Sequence, residues 1–348
     1  MLLAICLCCG NITEAQEIDG SGGNPEWGVE YTSELQLTHK GDFNWADLLY
    51  LQASLPVCNS LSFDVASIST YMTSKESIGE DLQTFSNLDA ENIAFALAVC
   101  GVNWEIDKHN TLFAGVRNMN EDYFASPVTS FFANSSCGIF PTISCNYSIA
   151  NYPLASVGVH YKYEKAFGTE EESNRDAIII QGSIYNGVGY NRFVGRESVF
   201  RFCPNHDGIY GLAQIEYQHR GSSYFLGACG RYGNVPETDS RRFVTTLWAY
   251  AEHRLTDGLY LIADYSHSFA KPSVCSDFMG IGGKYSWGKS ELGIFTDYAR
   301  FSECGESATE ISYKNQITSN IYIQPAAHIA VTDCTFQAAA TLRFGVNL

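Results

Sequence analysis

From Phe336 to Leu348 the sequence alternates without a break: Phe336, Ala338, Ala340, Leu342, Phe344, Val346 and Leu348 fall on one face, and Gln337, Ala339, Thr341, Arg343, Gly345 and Asn347 on the other. A period of two over that length specifies a β-strand with one apolar and one polar face. It exceeds the run of about 5–6 residues common in soluble sheets. A strand crossing a bilayer needs about 9–11 residues at a tilt of about 45°, so the segment poses a transmembrane barrel as the fold to test.

Composition favours the same answer. The 348 residues include 30 Gly, 21 Tyr and 21 Phe but only 9 Pro and 4 Met, a balance suited to strands and aromatic belts. The mean hydropathy, -0.10, is far below that of a helical membrane protein, and outside the N-terminus no uncharged apolar run is long enough for a spanning helix. Any spanning element must be a strand. The formal charge is -17, from 38 acidic against 21 basic residues, which argues against nucleic acid as a partner because phosphate backbones need a basic surface.

The first residues, Met1-Leu-Leu-Ala-Ile-Cys-Leu-Cys-Cys-Gly, followed by Thr13-Glu14-Ala15-Gln16, read as a clipped secretory signal, residues 1–15, with cleavage after Ala15. Residues 16–348 then form a single transmembrane barrel domain. Of 12 cysteines, Cys6, Cys8 and Cys9 would leave with the leader, and the nine that remain are an odd number. They have no zinc-type spacing. Cys137 and Cys145 are close enough in sequence to bridge within one loop; the alternative is that both pack as small hydrophobes.

Period-two segments recur near 28–38, 46–55, 60–70, 92–104, 110–118, 154–164, 176–185, 210–219, 223–232, 243–254, 258–268, 278–287, 290–300, 308–317, 320–330 and 335–348. This is an all-β pattern of about sixteen strands, an even number, as in an antiparallel barrel. One face suits lipid and the other water: Ala155, Val157, Val159, Tyr161 and Tyr163 oppose Ser156, Gly158, His160, Lys162 and Glu164. Long links near 71–91, 119–153 and 186–209 alternate with short ones such as Arg220-Gly-Ser and Gly288-Lys289, the asymmetry of short periplasmic turns and long external loops. The link from Lys165 to Arg175 is the exception, too long for a minimal turn. The longest insertion, Met119 to Pro153, follows the fifth strand as the third external loop. A long loop without its own regular pattern is usually functional, and this one is expected to fold inward and narrow the lumen; a cap over the mouth is the alternative.

Around that loop stand three blocks: Leu112-Phe-Ala-Gly-Val-Arg117-Asn118-Met119-Asn120-Glu121-Asp122-Tyr123-Phe124, Phe131-Phe132-Ala-Asn134-Ser-Ser-Cys-Gly138-Ile-Phe140-Pro141-Thr142, and Tyr152-Pro153-Leu154-Ala155-Ser156-Val157-Gly158. With Asn87-Leu-Asp-Ala-Glu-Asn before them and Asp207-Gly208-Ile-Tyr210-Gly-Leu-Ala-Gln214-Ile-Glu216-Tyr217 after, the region 85–348 resembles the carbohydrate-selective porin (OprB-type) family of the bacterial outer membrane. The resemblance implies a sixteen-stranded pore for facilitated diffusion of small neutral sugars, constricted by its third loop. Cys137 departs from the aromatic expected in its block.

A sugar presents hydroxyls all round and apolar C–H faces, so its constriction needs charged and amide groups beside aromatic rings. Arg117, Asn118, Asn120, Glu121, Asp122, Tyr123 and Phe124 supply that mixture. The competing role for Arg117 is to pair with Glu121 or Asp122 and pin the loop. On the opposite wall, alternation places Gln214, Glu216, Arg231, Trp248, Glu252, Lys284 and Arg343 on the polar face, where each can also be an ordinary solvated lumen residue. No elbow of the Gly-x-Ser-x-Gly type, His-Glu-x-x-His helix or phosphate loop occurs, so neither an enzyme nor a cofactor is expected. Outer-membrane lipid is the expected surroundings, and an apolar exterior also accommodates a homo-oligomer. The other readings are a non-conducting outer-membrane barrel serving as an adhesin or docking partner of a surface complex, and a soluble exported lectin.

Overall fold

The computed structural model describes residues 24–167, 176–235 and 240–348. The leader, its cleavage site and its three cysteines lie outside the described residues, as does most of the link from Lys165 to Arg175. The strands are β1 (Glu26–Thr38), β2 (Phe43–Cys58), β3 (Leu61–Met72), β4 (Ile93–Asp107), β5 (Asn110–Arg117), β6 (Ser156–Phe167), β7 (Asp176–Asn186) and β8 (Ile209–His219). They continue as β9 (Ser222–Val235), β10 (Ser240–Thr256), β11 (Leu259–Ser268), β12 (Cys275–Trp287), β13 (Ser290–Phe301), β14 (Gly305–Gln316), β15 (Ile321–Thr332) and β16 (Phe336–Asn347).

All 16 strands join in one closed antiparallel barrel. Its last seam is β1 against β16, in a register that sets Glu34 opposite Arg343 and Leu35 opposite Leu342. Closure leaves no free edge, so the strands pair with neighbours on both sides all round the wall, as hydrocarbon requires. The terminal alternation becomes one stave of that wall: Leu342 and Phe344 are exposed outside, while Arg343 is buried on the lumen side. Tyr285 and Trp287 stack near the short-turn end, with Tyr313 beside them. Phe43, Trp45 and Tyr71 are exposed near the long-loop end. These are the two aromatic girdles of a membrane barrel.

The faces of β2 to β4 depart from the alternation. Here the lumen side is itself apolar, with Ala46, Leu48, Tyr50, Ala66, Ile68 and Val99 buried together. The cause is internal packing: Leu88 of the 73–92 loop and Tyr152 of the 118–155 loop lie against these residues. A bulge between Ala66 and Ser67 further breaks the period of two in β3. The within-loop bridge is not formed. Cys137 and Cys145 are both free, because Cys137 is committed to the apolar interior of the loop, with Cys145 packed at its margin.

Candidate pore constriction

The loop from 118 to 155 folds into the barrel. Its first turn is built by two asparagines. Asn118 caps a short 3-10 turn, its side-chain oxygen accepting from Asn120 N at 2.8 Å while its amide donates to the Leu154 carbonyl at 2.8 Å. Asn120 accepts from Tyr152 N at 2.9 Å. Both are buried, and together they clip the two ends of the loop to each other.

Arg117, the last residue of β5, points into the lumen and forks onto Asp122, with Nε and Nη2 each 2.7 Å from a carboxylate oxygen. Its guanidinium also lies 4.5 Å from the Phe113 ring centre. His160 sits 3.4 Å from Asp122. Burial alone would raise the Asp122 carboxyl, but Arg117 and then His160 hold it below the usual carboxylate range. Neighbouring Glu121 accepts from the Tyr50 hydroxyl at 3.0 Å. Its burial wins over the opposing pull of Arg117 and pushes its pKa up to about 7. Two adjacent carboxyl groups thus have opposite protonation tendencies.

Beyond them the loop becomes apolar. Tyr123 reaches Ser183 on β7 at 2.9 Å, and Phe124 adopts φ 58°, a conformation unusual for a bulky side chain. Packing compensates: its ring lies 5.1 Å from both Phe140 and Trp248. Trp248 itself donates to Gln214 at 3.3 Å and lies over Gly227, where a Cβ would come within 2.2 Å of the indole. Phe131 and Phe132 rest on Gly293 in the same way, at 2.6 and 2.8 Å from a Cβ placed there. The seats for these rings are residues without side chains.

Carboxylates on the far wall hold the backbone of the loop. Glu252 of β10 accepts Ser126 Oγ at 2.6 Å, Val128 N at 3.1 Å, and Thr129 N and Oγ at 2.6 and 2.8 Å. Glu310 of β14 accepts Ala133 N and Asn134 N at 2.8 and 2.7 Å. Buried N–H groups must be paired, and charged acceptors make the stronger bonds. The 73–92 loop is held likewise: Leu82 N and Gln83 N donate to Glu306 at 2.7 and 2.9 Å, and Ser86 Oγ to Glu34 at 2.6 Å. Arg343 bridges Glu34 and Asn87, at 2.7 and 2.8 Å.

The structure therefore joins Arg117 to Asp122 and Glu252 to the loop, and sets Phe124 against Trp248. Glu216 is half-buried lower on the wall, accepting from Gln218 at 2.7 Å. Arg231 donates to the Asp207 carbonyl at 2.9 Å, and so ties down a different loop. Lys284 pairs with Glu291 at 2.8 Å and lies 5.5 Å from the Phe131 ring centre. Along 121–127, Glu121, Asp122, Ala125 and Pro127 keep some exposure while Tyr123, Phe124 and Ser126 are buried. Asp297 of β13, which accepts from Gln83 at 2.9 Å and Asn134 at 3.3 Å, and Glu306 and Glu310 of β14 are not among the residues the sequence singles out, and the long link near 71–91 carries no sign that it folds inward. The signal for the three carboxylates is an acidic residue at an inward position of β13 or β14.

The chain matches no known protein family and no curated protein sequence. Solved structures do match its fold. OprB of Pseudomonas putida superposes with a TM-score of 0.73 at 12% identity over 93% of this chain and 94% of that one. OmpT of Vibrio cholerae, an outer membrane protein, in a loop-deleted mutant, gives 0.61 at 11% identity over 94% of this chain and 100% of that one. A mutant of the Rh. blastica porin gives 0.57 at 7% identity over 93% and 100%. The fold is that of the outer-membrane β-barrels.

Proposed function

We propose that this barrel is an outer-membrane porin through which small neutral solutes, carbohydrates foremost, diffuse passively. The observation that carries the reading is the inward third loop, tied to β10 through Glu252 and to β14 through Glu310. A barrel of this width is an aqueous channel unless filled, and a loop fixed across it sets the size of what passes. Solute meets the part-exposed edge of 121–127, where Glu121 accepts hydroxyls and the Arg117–Asp122 fork beside it fixes the course of the edge. Asn118, Asn120, Tyr123, Phe124, Trp248 and Gln214 hold that edge in place, and Glu216 and Arg231 act below and above it. The sugar class rests on the Glu121 carboxyl beside the Tyr50 hydroxyl, and on the sequence resemblance to carbohydrate-selective porins.

One observation favours a second reading, a barrel closed by its own loops that serves as a docking partner. At loop height the lumen wall from β12 to β16 is covered, with Phe278, Phe295, Glu310, His328 and Arg343 all buried. Planar-bilayer recording and liposome swelling decide between them. The pore reading expects steady conductance, reduced by added monosaccharide, and swelling in monosaccharide that falls off for oligosaccharides. Insertion without conductance or swelling would replace it with the closed barrel.

A further inference from the structure

The loop from 187 to 208 turns outward, not inward. Tyr190 forms a bridge with Ala155 at the top of β6, and the chain then runs over the outside of the wall. Val199 is buried against Leu97, Val116 and Ala155, all on the outward face of β4 to β6. Phe193 stacks on Phe95 with centroids 5.5 Å apart, and Asn191 donates to Glu91 at 2.7 Å. The loop is internally braced: Val199 N donates to the Arg192 carbonyl at 2.7 Å, and Arg201 to the Arg196 carbonyl at 2.7 Å and to Asp207 at 3.0 Å. It is a fixed flap over the upper exterior of the short strand β5.

The outward side of this flap is doubly marked. Val194, Phe200 and Phe202 are 81%, 49% and 59% exposed, apolar side chains that water disfavours. The same stretch, 190–202, holds three Arg and a single Glu, in a chain with 38 acidic residues against 21 basic. Arg192 spends part of its charge on Glu197, at 3.1 Å. Apolar residues interleaved with arginines at the rim of a lipid-facing wall are the pattern of an interfacial anchor, rings in the acyl boundary and guanidiniums at the headgroups.

We infer that residues 190–202 form a lipid-docking flap that binds anionic, phosphate-bearing headgroups of the outer leaflet while its aromatic residues enter the acyl boundary. The flap replaces lipid over β4 to β6 and fixes the height of the barrel on that side. An Arg near an anionic leaflet adds roughly fivefold to lipid affinity, so two guanidiniums are expected to give a measurable preference.

The test is amide exchange of the folded full chain in nanodiscs holding one copy each, made either of phosphatidylcholine or of phosphatidylcholine with phosphatidylglycerol. Exchange over 190–202 is expected to be at least fivefold slower in the anionic discs, with the 317–320 turn as internal reference. Arg192→Ala/Arg196→Ala should abolish that difference, and Val194→Ser/Phe200→Ser/Phe202→Ser should speed exchange in both discs, each variant retaining heat-dependent gel mobility. Equal rates in the two discs, or a difference surviving the arginine variant, would overturn the inference. So would protection that appears only when two copies share a disc, which would assign the flap to a second copy of this chain.

Discussion

Glu252 on the barrel wall takes both donors of Thr129 on the third loop, the backbone N–H at 2.6 Å and the hydroxyl at 2.8 Å, on the same oxygen. Ser126 and Val128 converge on that oxygen too, so one side chain satisfies the donors of this turn of the loop. Each buried donor left unpaired costs roughly 1–3 kcal/mol. Glu252→Ala is therefore expected to free this turn while leaving the wall intact, raising single-channel conductance and open-channel noise. Glu252→Gln should lie between. A conductance equal to wild type in the alanine variant would mean that the aromatic seats alone hold the loop.

The Arg117–Asp122 fork makes a second prediction, on coupling. With side chains only 17% and 8% exposed, neither charge is at ease without the other. Breaking a buried pair by removing one partner costs about 3–5 kcal/mol, whereas removing both is far milder. Arg117→Ala should accordingly lower the resistance of the folded barrel to urea, and Arg117→Ala/Asp122→Ala should restore much of it. Additive losses would place the two residues in independent roles. In the single variant, the block of conductance by sugar is also expected to weaken, because the edge that carries Glu121 loses its anchor.

The wall was legible because a strand advertises itself locally. Leu342, Arg343 and Phe344 reveal their faces by alternation alone, and every strand of the barrel lies within a few residues of a period-two segment. The interior was legible only in part. That the loop after β5 turns inward followed from its length and its position after the fifth strand, but its partners Glu252 and Glu310 lie 123 and 177 residues away in sequence, and nothing local links them. The 73–92 loop is legible as a long link, but its inward docking is not, for the same reason: Glu34, Glu306 and Arg343 hold it from the two ends of the chain. Alternation also cannot tell a solvated lumen residue from one beneath a loop, which is why Glu252 reads as an ordinary inward carboxylate.

Protonation of the second loop supplies the third prediction. Asp81 accepts from Gln337 on β16 at 3.0 Å, and facing it are Glu306 on β14, Asp89 within its own loop and His328 on β15. Glu80 next to it is drawn to Lys40 at 2.5 Å. Burial first, then Glu306 and Asp89, push the Asp81 pKa up to about 7. Because the docked value is raised above the ordinary carboxyl value of 3.8, the docked loop binds the proton more tightly than the free loop. Its contribution is complete at acid pH and is lost as pH rises through about 7. Residues 73–92 should exchange amide protons faster at pH 8 than at pH 5 after correction for intrinsic rates, with noisier conductance at the higher pH. Asp81→Asn, neutral at both values, should abolish the part of that dependence that is specific to this loop. A pH dependence of equal size in the asparagine variant would move the titrating group elsewhere, with Glu121 of the third loop, also near 7, the next to substitute.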